Sequence, residues 1–94
     1  MLNIRFTGQF KKDFKRVKSQ GFSEADSEEL KSLIQQLAER KPLEPKYLDH
    51  PLKGKGFVGT REFHLKPDLL VVYKICEKDV ELLMLRFGSH SELF

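Results

Sequence analysis

No tryptophan occurs in the chain, and cysteine occurs once, at Cys76. A single thiol excludes an internal disulfide framework and any zinc site built from several thiolates. Cys76 sits in a strand-like segment and reads as a small buried apolar residue. No apolar run approaches the roughly 20 residues that a bilayer-crossing helix needs. The opening residues, Met1-Leu2-Asn3-Ile4-Arg5-Phe6, lack the basic, then apolar, then small-residue order of a secretion signal. The expected compartment is the cytoplasm, where thiols stay reduced. Repeats, low-complexity tracts and long linkers are also missing. What remains is globular composition: 94 residues, 39% hydrophobic and 33% charged. That length supports one domain over residues 1–94 with a modest core.

Charge is unevenly spread. Residues 1–20 carry six basic side chains and one acidic one, residues 21–45 three and six, and residues 46–94 eight and seven. A basic front end on a small chain suits a polyanionic partner, with RNA or DNA first among candidates. A solvated basic helix face reads equally well from charge alone.

Alternation of Leu2, Ile4 and Phe6 with Asn3 and Arg5 predicts a short half-buried strand. Phe6, Phe10, Phe14 and Val17 then recur at helical spacing, with Lys11, Lys15 and Lys18 on another face. Gly21 suits a left-handed helix stop. Ser23 is a candidate N-cap, followed by Glu24 and Asp26 at the positive end of the helix dipole. Leu30, Leu33, Ile34 and Leu37 make the apolar stripe of this second helix, which Arg40-Lys41-Pro42 ends. Residues 43–59 are rich in proline and glycine and read as an irregular loop. Three strands follow: Thr60 to Leu65, Leu69 to Ile75 and Val80 to Phe87, joined at Pro67-Asp68 and Glu77-Lys78-Asp79. The order β-α-α-β-β-β predicts an α+β domain, with two N-terminal helices on one face of a small antiparallel sheet. The other face is then a working surface.

Period-two geometry puts Phe63 and Leu65 on the helix side and Glu62 and His64 on the open side. Strict alternation in the last strand gives Leu83, Leu85 and Phe87 to the helices, and Leu82, Met84 and Arg86 to the open face. His50, His64 and His90 each lie near a turn at one end of the sheet, flanked by Asp49 and Asp68. As pattern alone they could be unrelated surface histidines. Asp49 reads best as a turn residue capping a backbone amide. Three histidines and two carboxylates could hold zinc, but no pair has the i, i+4 helical spacing that makes such a claim strong.

The segments Tyr47-Leu48-Asp49-His50-Pro51-Leu52-Lys53-Gly54, Arg61-Glu62-Phe63-His64-Leu65-Lys66-Pro67-Asp68-Leu69 and Arg86-Phe87-Gly88-Ser89-His90-Ser91-Glu92-Leu93-Phe94 resemble the YafQ branch of the RelE toxin superfamily. The likeness runs the whole chain. It implies a RelE-like microbial RNase fold and the toxin of a type II toxin–antitoxin pair. It further implies a ribosome-dependent endoribonuclease that cuts messenger RNA, with a cognate antitoxin and indirect operator DNA binding through that antitoxin. The catalytic set it implies falls on His50, His64, Asp68, His90 and Phe94, with Glu62 where the branch often has Asp. Arg86 matches the superfamily's late arginine.

The chemistry fits these residue types. RNA carries its own nucleophile, the 2′-hydroxyl, so the site must accept that proton, steady the phosphoryl oxygens and protonate the leaving 5′-oxygen. Imidazole can serve as acid or base near neutral pH. His64 and His90 are read as that pair, and His50 as a third proton carrier or an orienter. Asp68 and Glu62 favour a charged histidine, or Asp68 is itself the base. Arg86 is read as the phosphate holder. Phe94 is a stacking platform or a tail anchor. No metal or other cofactor is expected. Lys11, Lys12, Lys15, Arg16, Lys18, Lys53 and Lys55 are the candidate ribosomal RNA contacts. The alternative is a non-catalytic module of the same fold that binds RNA or the ribosome without cutting.

Overall fold

The alternating opening residues form β1 (Asn3–Phe6), the first strand of a computed structural model that describes residues 1–54 and 58–94. Thr7 caps α1 (Gly8–Ser19), its side chain accepting from the Phe10 amide at 3.0 Å. Gly21, at φ 95°, takes the left-handed position after that helix. α2 (Glu24–Ala38) opens with a reciprocal capping box between Ser23 and Asp26. It closes with paired bonds from the Arg40 amide to the Leu37 carbonyl and from the Lys41 amide to the Gln36 carbonyl. Arg40 itself occupies the left-handed region, at φ 59°, where glycine is usual.

A 3-10 turn at Pro45–Tyr47 leads into β2 (His50–Pro51), β3 (Thr60–Lys66), β4 (Leu69–Cys76), β5 (Glu81–Gly88) and the one-turn α3 (His90–Leu93). The sheet order is β1-β5-β4-β3-β2. β2 through β5 pair antiparallel as expected, whereas β1 pairs with β5 in parallel, so the sheet is mixed and has five strands. The two helices and the other strands lie between β1 and β5 in sequence, which gives the long crossover that parallel pairing requires. Cys76 ends β4 half-buried rather than enclosed.

Phe10, Val17, Leu30, Leu33, Ile34 and Leu37 pack against Phe63, Val71, Leu82, Met84 and Phe87 to form the core. Phe87 is its aromatic hub, with ring centroids of Phe10, Phe14 and Phe22 between 5.6 and 6.2 Å away. The expected facing of β5 is corrected here. Leu82, Met84 and Phe87 are fully enclosed, while Leu83 and Leu85 are half-buried. The cause is a bulge: Val72 pairs with Arg86 but Tyr73 pairs with Met84, leaving Leu85 as an extra residue. One inserted residue reverses which side chains face the core. Met84 and Phe87 can therefore both point inward while Arg86 stays on the open side.

β1 ends at Phe6, so the second half of β5 has no strand on that side. Side chains at and after the start of α1 take the missing strand's place. The Thr7 hydroxyl donates to the Leu85 carbonyl at 3.0 Å, Asp13 accepts from the Phe87 amide at 3.0 Å, and Arg16 donates to the Phe87 carbonyl at 2.9 Å. These bonds satisfy backbone groups that an open edge would leave unpaired.

Candidate active site

Cross-strand register builds a row across the open face. His50 pairs with Glu62, Glu62 with Val72, and Val72 with Arg86. Directly opposed residues share a face, so these side chains emerge together, with Glu62 and Arg86 about 10 Å apart at their Cα atoms. Val72 is the buried floor between them. His64 stands one step along β3 on the same face, in register with Leu70 and, beyond it, Gly88.

Glu62 is only 6% exposed. Its Oε2 lies 3.0 Å from His50 Nε2 and 3.8 Å from His64 Nε2, while its Oε1 is buried without a hydrogen-bond partner among the described residues. The His50 and His64 rings are 6.0 Å apart. His50 Nδ1 faces the Leu48 carbonyl and His64 Nδ1 faces the Pro67 carbonyl. Both nitrogens of His50 thus have an acceptor at hydrogen-bonding distance, whereas in His64 only Nδ1 does, its Nε2 standing further from the carboxylate.

The loop that delivers His50 is anchored from below. Among the described residues no backbone amide bonds to the Asp49 carboxylate, so the expected cap is not seen there. Asp49 accepts from the Tyr73 hydroxyl at 2.6 Å, and Arg61 Nε lies within 3.3 Å of both. Burial, then the bond to Asp49, push the Tyr73 phenol well above its ordinary pKa, so it remains a donor.

The tail supplies the remaining candidates. Ser89 and Glu92 form a capping box around α3. The His90 amide donates to Asp68 Oδ1 at 3.2 Å, which ties the tail to the β3–β4 turn. The His90 ring lies 5.2 Å from that of Phe94. The structure therefore gathers the predicted residues into three groups: His50-Glu62-His64 and Arg86 in one cross-strand row, and Asp68-His90-Phe94 where the tail meets the β3–β4 turn. Of the predicted RNA contacts, Lys11, Lys12 and Lys15 are exposed on α1, which covers the other side of the sheet, and Lys53 is exposed after β2. Lys55 lies outside the described residues. Arg16 is not a free surface cation, because Asp13 and Glu92 hold it at 2.8 and 3.1 Å.

Arg86 has a partner that the sequence reading did not name. Its Nε lies 2.8 Å from Asp13 Oδ2 and its Nη2 3.4 Å from Oδ1. Asp13 is fully buried and also accepts from Gln9, Arg16 and the Phe87 amide. Burial raises its pKa, but these hydrogen bonds, led by Arg86, outweigh that and bring it down to about 2. The signal was present. Asp13 falls at i+3 from Phe10 and i−4 from Val17, on the apolar face of α1 where an acid needs a partner.

A family signature described as "Bacterial toxin of type II toxin-antitoxin system, YafQ" matches residues 2–94. The chain is 35% identical to the mRNA interferase toxin YafQ of Escherichia coli strain K12, an alignment that takes in 98% of this chain and 95% of that one. Among solved structures it resembles a metal-bound toxin from Helicobacter pylori, at 46% identity and a TM-score of 0.89 with both chains fully covered. It also resembles the toxin chain of the Escherichia coli DinJ-YafQ complex, at 34% identity and a TM-score of 0.85, covering 100% of this chain and 99% of that one.

Proposed function

The chain belongs to the YafQ family of bacterial toxins of type II toxin–antitoxin systems, and from that membership we propose that it is an endoribonuclease that cuts messenger RNA on the ribosome. The 94 residues act as one unit with a cognate antitoxin, through which operator DNA is bound indirectly. The observation that carries the reading is the buried Glu62 carboxylate set between two imidazoles, in the same cross-strand row as Arg86.

The substrate's 2′-hydroxyl attacks the adjacent phosphorus and the bond to the 5′-oxygen breaks, leaving a 2′,3′-cyclic phosphate and a 5′-hydroxyl. His64 and His90 exchange the two protons, one accepting from the 2′-hydroxyl and the other donating to the leaving oxygen. Glu62 holds His64 and His50 in place and accepts from whichever ring carries the extra proton. Asp68 seats the tail that carries His90. Arg86 offers a fixed fork of donors to the charge that develops on the phosphoryl oxygens. Phe94, beside His90, gives a flat surface against which a base can stack. Lys11, Lys12, Lys15, Lys53 and Lys55 contact ribosomal RNA. The apolar groove lined by Phe6, Phe10, Phe14, Leu30 and Ile34, edged by Lys11 and Lys31, suits an acidic amphipathic segment of the antitoxin.

Translating ribosomes on a defined message test the reading. The parent protein should create new RNA ends, His64→Ala and His90→Ala should not, and a 2′-deoxy residue at the cut position should abolish cleavage. Equal inhibition of translation by all three proteins without new ends would instead establish a non-catalytic binding module.

The same cluster supports a second reading. His50, Glu62 and His64 each present a ligand atom within 4.8 Å of the others, and Glu62 Oε1, without a partner among the described residues, is a spare ligand atom. Two imidazoles and a carboxylate suit a zinc- or copper-like cation. A cation held there would polarise a phosphoryl oxygen. Cleavage that persists in chelator keeps the metal-free mechanism, and cleavage lost in chelator and restored by added metal replaces it.

A further inference from the structure

We propose that Asp13, a buried acid on the helix side of the chain, is a positioning residue that sets the guanidinium of Arg86 and the seat of the His90 tail for RNA cleavage. The inference rests on the cleavage reading above. Asp13 engages Arg86 through Nε and Nη2, at 2.8 and 3.4 Å, and no hydrogen bond among the described residues reaches Nη1. The guanidinium is planar, so fixing two nitrogens fixes the direction of the third. The side chain keeps 36% of its exposure, so the ion pair with Asp13 does not seal it from solvent.

The second branch runs through Arg16. It bonds Asp13 at 2.8 Å and the Phe87 carbonyl at 2.9 Å, and its Nε lies 3.1 Å from Glu92. Glu92 in turn accepts from the Ser89 amide at 2.9 Å, at the start of the turn that carries His90. One carboxylate therefore governs the last polar residue of β5 and, through a second arginine, the helix that follows it. A group that only closed the β5 edge would need a single acceptor for the Phe87 amide. Asp13 instead uses both oxygens on two arginines, at the desolvation cost of burying a charge. A misplacement of about 1 Å in a phosphate-holding group is enough to lower a rate by about 100-fold.

The test is a cycle of Asp13→Asn and Arg86→Ala, read as single-turnover cleavage on programmed ribosomes across ribosome concentrations. Asp13→Asn should lower the cleavage rate constant at least about 10-fold and leave the half-saturating concentration nearly unchanged. Added to Arg86→Ala, it should lower the rate much less than it does alone. A side-chain proton signal of Arg86 Nε, sharp in the parent, should broaden or shift in Asp13→Asn. Equal losses in both backgrounds, or full activity in the single variant, overturn the proposal. Where Asp13→Asn does not fold, Asp13→Glu displaces the carboxylate by one methylene and carries the same cycle. A parent protein that cuts nothing defeats the cleavage reading, while the Arg86 signal still reports whether Asp13 fixes that side chain.

Discussion

Acid should weaken this fold through Asp13 in a way that a single substitution removes. The carboxyl has an ordinary pKa of 3.8 and is brought to about 2 in the folded chain. A depressed folded value means that the stabilisation is complete above the unfolded value and is lost as pH falls through the folded one. Nearly two units at about 1.4 kcal/mol each give about 2 kcal/mol. By pH 2.5 roughly two-thirds of that is gone. Asn at position 13 has nearly the same shape and does not titrate. The variant should be less stable than the parent near neutral pH, and the gap should narrow by more than about 1 kcal/mol between pH 5.5 and 2.5. Urea unfolding of both proteins at matched ionic strength reads the difference, and other carboxylates cancel because both chains share them. Parallel loss of stability across that range would refute the reasoning, since it would mean that Asp13 binds its proton equally in the two states.

Four further outcomes follow from the geometry. Glu62→Gln keeps the size of the buried side chain but removes the charge between two imidazoles. It should fold and cut about 100-fold more slowly, and an unchanged cleavage rate would remove the carboxylate from the chemistry. Tyr73→Phe deletes the 2.6 Å bond to Asp49 and should cost about 2 kcal/mol in urea unfolding; a cost near zero would mean that water replaces the phenol. Gly88→Ala places a Cβ 2.5 Å from Arg16 Nη2 and 3.0 Å from Glu92 Oε1. It should lower Tm and cleavage together, and wild-type values for both would show that the arginine has room to move. Replacing Lys11, Lys12 and Lys15 with Gln should flatten the salt dependence of ribosome binding by about two units of log–log slope; an unaltered slope would take those lysines off the contact surface.

Much of the architecture was legible because its signals are local. Ser23 with Asp26, the stripe from Leu30 to Leu37, and Gly21 after the first helix each specify their element within one or two turns of chain. Glu62 and His64 could be placed on the open face because β3 alternates without interruption before them. The failures are non-local or depend on one residue. The extra Leu85 in β5 leaves no mark in a run of Leu, Met and Leu, yet it reverses every assignment on one side of it. The parallel pairing of β1 with β5 joins residues near opposite ends of the chain, which periodicity does not register. Asp13 looked like one acid diluting a basic helix, and its partners, Arg86 and the Phe87 amide, lie more than seventy residues away. The resemblance supplied the site residues. It did not supply what holds them.

β5, the last strand to be made, lies between the first strand and the fourth. Both β1 and α1 lean on it, and the residues that follow it carry His90 and Phe94. During synthesis, therefore, β1 and α1 have no strand to rest on until the residues of β5 have themselves emerged.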